Sequence, residues 1–448
     1  MRNTDSHAEP SRGGGGNNSN RGTVLLRNGR VLDPAGGLDE TADVLVRDGT
    51  IESIGKGIAA EPGARVMDLT GKLAVPGLID MHVHLREPGR EDEETIQSGG
   101  RAAAAGGFTA VACMANTRPV VDNAGMVRFV VEAAKKRSPV RVFCVGAGTV
   151  GLKGEAMTEI MDMRDAGAVA ISDDGKFIQN SEVARRVMEY CRMAGLPFIS
   201  HCEDQYLSAG GDMHEGYWST VLGLKGIPAA AETVAVAREV SLAELTGARV
   251  HIAHVSAGES VDVVRRAKER GLTVTAETAP HYLVLTDRAV CGYDTNAKVN
   301  PPLRSEEDRE RVVAGLKDGT IDVIASDHAP HCEEEKDVEF AAAAFGLIGL
   351  ETSVGVIMTF LVRKGIVPLK DAIAAMTVKP AAVLGIDGGT LAAGRRADIT
   401  IIDPELEWEV DPSRFASGAR NTPFRGMKLT GKAVATMVAG KLVYEEPH

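Results

Sequence analysis

Aromatic side chains are scarce in this 448-residue chain, at 4% of the total, and there is no excess of basic charge. The 50 lysines and arginines are outnumbered by 62 aspartates and glutamates, giving a net charge of -12. With a pI near 5.5 and no basic patch to reverse that balance, the composition argues against nucleic acid or an anionic lipid surface as a partner. Long apolar runs are missing as well. None approaches the roughly 20 residues that a membrane span needs, and the amino-terminal stretch lacks the apolar core of a signal peptide. Cysteine is sparse, with six residues and no C-x-x-C spacing. Cys113, Cys144, Cys191, Cys202, Cys291 and Cys332 therefore read as reduced thiols, which implies a cytoplasmic protein. What is present is an ordinary globular composition, 44% hydrophobic and 25% charged, long enough for one barrel-sized domain and a smaller one.

Residues 1–22 are polar and of low complexity, with Gly13 to Gly16 followed by Asn17, Asn18, Ser19 and Asn20. Such a stretch buries too little apolar surface to order itself and reads as a disordered tail. From 23 to 75 short alternating strands are punctuated by turn signals, and the same texture returns at 397–402 and 433–443, where Gly440 and Lys441 predict a hairpin turn. Two β-rich ends pair most simply with each other, so 23–75 and 388–448 are expected to build one small β-sandwich domain. Between them, over 76–387, apolar runs of strand type alternate with amphipathic helices. The strands fall at 73–79, 108–114, 141–145, 169–172, 197–200, 249–253, 272–275 and 322–325, with helices such as 182–194, 260–270 and 306–316 among them. Eight such units predict an α/β fold, a (β/α)8 barrel whose reactive residues sit at the C-terminal ends of its strands.

The stretch from Pro76 to Gly89 carries the strongest signal. An apolar run arrives at His82 and His84, and because side chains alternate along a strand, both imidazoles are expected on one side, with Arg86 on the same face. Imidazole is a common zinc ligand, and a metal beside a fixed cation suggests an anionic substrate. The other predicted strand ends are as rich in polar residues. Asn116 follows the second, Asp173 and Asp174 the fourth, His201 the fifth and His254 the sixth; Asn300 lies beyond the seventh, and Asp327, His328 and His331 follow the eighth. Singly, each has an ordinary use: Asp174 in a Ser-Asp-Asp-Gly turn can bond its own backbone, and a lone strand histidine is more often packed than ligating. Four histidines and two aspartates at one barrel mouth are a different matter. They exceed what one tetrahedral zinc requires and suit two ions about 3.5 to 4 Å apart that share a carboxylate. Such a centre acidifies water and polarises a carbonyl, which indicates hydrolysis, or its reverse, at an amide-like carbon without a Ser or Cys nucleophile. Asp327, at the end of the last strand, is placed to act as the general base.

At these residues the chain resembles the dihydroorotases of the amidohydrolase superfamily, in their class I branch. The resemblance covers 23–448 and rests on Asp80 to Gly89, Met114 to Thr117, Ser172 to Gly175, His201 to Glu203, Ile252 to Ser256, Asn300 to Arg304 and Ser326 to His331. It implies two zinc ions per chain, with His82, His84 and Asp327 on one, His201 and His254 on the other, Asp174 bridging, and Asp327 also shuttling the proton. It further implies that Arg86, Asn116 and His331 hold the substrate's carboxylate, while Asn300 and the Phe345 and Gly346 backbone approach its ring. Many superfamily relatives bridge the metals with a carboxylated lysine, but no lysine stands at the fourth strand's end here, which argues against a hydantoinase or allantoinase. The expected activity is the reversible, zinc-dependent cyclisation of N-carbamoyl-L-aspartate to (S)-dihydroorotate in pyrimidine synthesis, with a homo-oligomer and a complex with aspartate carbamoyltransferase as expected assemblies. Another cyclic-amide hydrolase, or a scaffold for that transferase, is the alternative. The residues themselves assign no role to His251, His281 or His328 beyond orienting or packing.

Overall fold

In the computed structural model, which describes residues 22–447, the sequence's eight βα units wind into a barrel. The predicted tail lies outside the described residues except for its last position. Strands Leu78–Val83, Phe108–Cys113, Arg141–Gly146, Ala168–Ser172, Phe198–Ser200, Val250–Ile252, Val274–Thr278 and Val323–Ile324 pair in parallel and in chain order. The last returns to the first just past its end: Val83 bridges His328, and the His84 N–H donates to the His328 carbonyl at 2.8 Å. These strands are rich in apolar residues because both faces are covered. Met81, Ala112, Val145, Ala170, Ile199 and Ala253 fill the barrel interior, while alternate residues such as Cys113, Cys144, Ile171, Phe198 and Ile252 pack outward under the helices.

The helices begin and end where their capping residues dictate. Asn180 accepts from the backbone N–H of Glu182 and Val183 to start Ser181–Ala194, and Gly195, at φ 71°, ends it. Ser305 caps Glu306–Asp318 through the Asp308 N–H, and Gly258–Glu269 completes the three helices named from sequence. Among the described residues no helix is long and apolar enough to cross a membrane.

The two ends of the chain meet in a second eight-stranded sheet, where Ile399–Glu409 runs antiparallel to Leu73–Pro76 and Lys428–Val438 lies beyond it. Val24–Asp33, Leu38–Arg47 and Thr50–Gly55 continue the sheet on the other side, with Arg65–Asp68 also alongside Val24–Asp33. It bends over its own core of Leu26, Val44, Val46, Ile51, Ile399, Ile401 and Met437, so the small sandwich is one continuous sheet. Two sequence expectations shift here. The run 73–79 divides at Gly77, with Leu73–Pro76 in the terminal sheet and the barrel beginning at Leu78. A Cβ at Gly77 would lie 2.2 Å from the Thr109 hydroxyl, and its N–H donates to Asp398, so the chain crosses between sheets at the one residue that fits. The last hairpin turns through Ala439 and Gly440, both at positive φ, rather than through Gly440 and Lys441, as a two-residue hairpin twist requires.

Candidate active site

All six residues that the sequence singled out as metal ligands come from C-terminal strand ends. His82 lies within the first strand and His84 just beyond it; Asp174, His201, His254 and Asp327 follow the fourth, fifth, sixth and eighth. Three site residues hold backbone conformations that L-amino acids seldom adopt, Arg86 at φ 60°, His254 at 34° and Asp327 at 50°. Strain of this kind persists where surrounding structure over-determines it, as at a reactive site. For Arg86 it also corrects the sequence expectation. The strand ends at Val83, so a turn and not alternation aims the guanidinium.

The six side chains form one cluster. His82 Nε2 lies 3.3 Å from Asp174 Oδ1 and 3.5 Å from Asp327 Oδ1, and His84 Nε2 lies 3.2 Å from Asp327 Oδ1 and 3.5 Å from Asp174 Oδ2. On the far side of Asp174, His254 Nε2 is 3.5 Å and His201 Nδ1 3.8 Å from Oδ1, and those two ring nitrogens are 2.8 Å apart. Asp174 thus touches all four imidazoles. Two overlapping triads, His82 with His84 and Asp327 and His82 with Asp174 and His254, each keep their donor atoms within 4.8 Å of one another.

The electrostatics of this cluster fit a bound cation. Burial would push the Asp174 carboxyl up, but His82, His254 and His84 hold it well below the usual carboxylate range. Burial would likewise lower the His82 imidazole, but Asp174, Glu277 and Asp327 raise it well above its ordinary value. Among the described residues, His82 Nε2 and Asp174 Oδ1 are buried with no hydrogen-bond partner. A buried acceptor left unpaired costs about 1–3 kcal/mol, and a positive ion between these atoms removes that penalty.

The residues expected to hold substrate lie beside the cluster. Asn116 Oδ1 is 2.9 Å from His84 Nδ1. Arg86 Nε donates to the Pro330 carbonyl at 3.0 Å and pairs with Glu93 at 3.0 Å, and its terminal nitrogen lies 3.3 Å from His331 Nε2. Burial lowers the Arg86 pKa, against the pull of Glu93 and Asp327. His331 Nε2 is 2.8 Å from the Phe345 carbonyl, and Gly346, at φ 139°, passes so close that a Cβ there would lie 3.0 Å from the same nitrogen. Asn300 Nδ2 donates at 3.1 Å to Glu203, whose Oε2 is also 3.1 Å from His201 Nε2. The Phe345 ring instead stacks against the Lys298 ammonium at 4.5 Å. A third close group, Glu93, His331 and Glu335, has the right atoms for a metal, but Arg86 and Arg90 already neutralise its carboxylates, so it reads as a charge network.

With this geometry in hand, relatives settle the family. Residues 71–260 match a family model described as dihydro-orotase-like, and 212–444 match one described as the amidohydrolase family. A dihydroorotase of Pelotomaculum thermopropionicum is 57% identical over 423 residues, 94% of this chain and 99% of that protein. The chain belongs to the dihydroorotase family. A second dihydroorotase, from Pelobacter propionicus, is 52% identical over the same 94% of the chain and 99% of its own length. Among solved structures, an L-hydantoinase from Arthrobacter aurescens superposes with a TM-score of 0.86 at 29% identity, covering 95% of this chain and 96% of that one. A dihydropyrimidinase from Brevibacillus agri, at 24% identity and a TM-score of 0.83 over 95% of each chain, shares the fold.

Within this dihydroorotase-family site, several residues that the sequence did not single out support those that it did. Glu277, on the seventh strand, lies 2.5 Å from His82 Nδ1 and 3.3 Å from His251 Nε2. Burial would raise its pKa, but His82 and His251 pull it down to about 2, so it stays an anion that orients His82. Asking for carboxylates at every strand end would have found it. Asp80 accepts from the N–H of Ser326 and of His82, tying the first strand to the eighth, and burial pushes it up to about 7. His251 thereby gains an orienting role, its Nδ1 lying 2.8 Å from the Thr275 hydroxyl. His328 sits 3.3 Å from Glu94, and His281 is buried against the Tyr282 ring, its pKa lowered by that burial to about 4. At the fourth strand's end stands Asp174; Lys176, two residues on, is exposed.

Proposed function

We propose that the chain is a dihydroorotase that interconverts N-carbamoyl-L-aspartate and (S)-dihydroorotate, the ring-closing step of UMP synthesis. The observation that carries this reading is the six-residue cluster with its orphaned donor atoms, set beside a part-buried arginine and histidine, in a chain of the dihydroorotase family. One centre suits an amide carbonyl and the other a carboxylate. His82, His84 and Asp327 would hold one zinc, His201 and His254 a second, and Asp174 would bridge them. When bound, the two ions supply Lewis acidity at the substrate carbonyl and acidify water.

The chain's own residues do the rest. Asp327 has the most exposed side chain of the six, at 13%, so among the two carboxylates it is the one placed to take a proton and return it to the ring nitrogen. Arg86, Asn116 and His331 present donors to the substrate carboxylate, and Asn300 with the Phe345 and Gly346 backbone borders the ring. The proposal extends to a cytoplasmic homo-oligomer and to aspartate carbamoyltransferase as a partner; six free cysteines suit that compartment.

A hydantoinase-like cyclic amidase is the second reading, raised by the L-hydantoinase neighbour. Comparing turnover of dihydroorotate with that of neutral dihydrouracil and hydantoin separates the two. Dihydroorotate is expected to be strongly preferred, and a preference for either neutral ring would install the second reading.

A further inference from the structure

The residue that joins the substrate side of the barrel mouth to the terminal sheet is Asn421, in the segment between strands Ile399–Glu409 and Lys428–Val438. It is 4% exposed. Its Oδ1 accepts from the His331 N–H at 3.2 Å, and its Nδ2 donates to the carbonyls of Ala329 and Gly346, each at 3.1 Å. A backbone N–H can only donate and a carbonyl can only accept, so the orientation of this amide is fixed by its partners. Both amide hydrogens are used. The residue's own carbonyl accepts from the Ile348 N–H at 2.9 Å, which brings a fourth point of the two loops under its hold.

Those two loops, 329–331 and 345–348, otherwise meet through the Ala329 N–H to the Leu347 carbonyl, the bridge of His328 with Leu347, and the His331 ring, whose Nε2 lies 2.8 Å from the Phe345 carbonyl. None of these ties the His331 backbone to the Gly346 carbonyl, and Asn421 does. Its own segment is anchored on both sides. Phe424 packs into a cluster with Val356, Val410 and Leu429, and the Gly418 N–H donates to Glu94 at 3.0 Å. The amide is therefore a rigid spacer and not a trailing loop side chain.

We propose that Asn421 is a positioning residue for substrate binding, setting the distance between His331 and the Gly346 backbone so that the pocket fits an anionic ring. The inference rests on the reading of Arg86, Asn116 and His331 as the carboxylate site. Its test is a set of steady-state measurements on zinc-loaded protein with dihydroorotate, alongside zinc content and thermal melting. Asn421→Asp keeps the shape but turns a charged oxygen toward two carbonyls, and Asn421→Ala removes the contacts without adding charge.

Losing two to three hydrogen bonds made before and during reaction alike is expected to raise KM about 10- to 100-fold, with kcat within about threefold and zinc unchanged. A side chain that merely held the fold together would lower kcat, zinc content and melting temperature together, and that pattern overturns the proposal. So does an unchanged KM in both variants. If Asn421→Asp fails to fold, Asn421→Ala decides alone. Arg86→Ala separates the two levels of the argument: a normal KM there defeats the carboxylate site itself, whereas a raised KM there with a normal KM in the Asn421 variants defeats only the positioning role.

Discussion

Asp327→Asn is expected to lower dihydroorotate turnover about 10²- to 10⁴-fold, the scale on which loss of a general acid or base acts. The substitution is chosen for its economy. Asparagine tolerates the left-handed backbone that residue 327 adopts at φ 50°, keeps one oxygen for His84 at 3.2 Å, and gives up the carboxylate's charge and basicity. The fold should therefore survive. Because Asp327 is also a proposed ligand, zinc content must be measured on the same sample. Lost turnover with zinc retained assigns the proton transfer to Asp327, and lost zinc assigns the residue to binding. Near-normal turnover with zinc retained would move the proton transfer to another group.

Arg86→Ala is expected to reduce kcat/KM for dihydroorotate by about 2 to 5 kcal/mol, the usual cost of truncating one partner of a desolvated charge pair. Its guanidinium is part-buried at the barrel mouth, held by the Pro330 carbonyl and Glu93. Glu93 keeps Arg90 at 3.1 Å when Arg86 is gone, so the variant leaves no uncompensated buried carboxylate and should fold. Arg86→Lys should also bind the anion less well, since a point charge cannot reproduce a two-pronged contact with a carboxylate. Neutral dihydrouracil gains nothing from this pair, and its slow hydrolysis should be nearly unaltered by either substitution. Equal damage to neutral and anionic substrates would remove Arg86 from carboxylate recognition.

The parts of this site legible in the sequence are those that a periodic element delivers. His82 and His84 follow from alternation at the end of an apolar run, and Asp174, His201, His254 and Asp327 from the rule that barrel strands end at the reactive face. Where the backbone leaves the strand, that reasoning lapses. Arg86 belongs to the site through a left-handed turn, and the run 73–79 conceals a change of sheet at Gly77 that only the packing of Thr109 reveals. The supporting residues were hidden for a different reason. Glu277 reaches His82 across 195 residues and Asn421 reaches His331 across 90; Glu277 at least stands near a strand end, but no local pattern marks Asn421 until the barrel is closed. The predicted sandwich was visible as two β-rich ends, but not as one continuous sheet, because the pairing that joins them, Ile399–Ile402 with Leu73–Pro76, links strands far apart in the chain.

The claim on which everything else depends is that four imidazoles and two carboxylates at this mouth hold two metal ions. Elemental analysis of protein purified without chelators, paired with its dihydroorotate turnover as zinc is titrated back into stripped protein, tests it most directly. The expected result is about two zinc ions per chain, with activity complete only when both are bound. Full activity at a single ion per chain would contradict it.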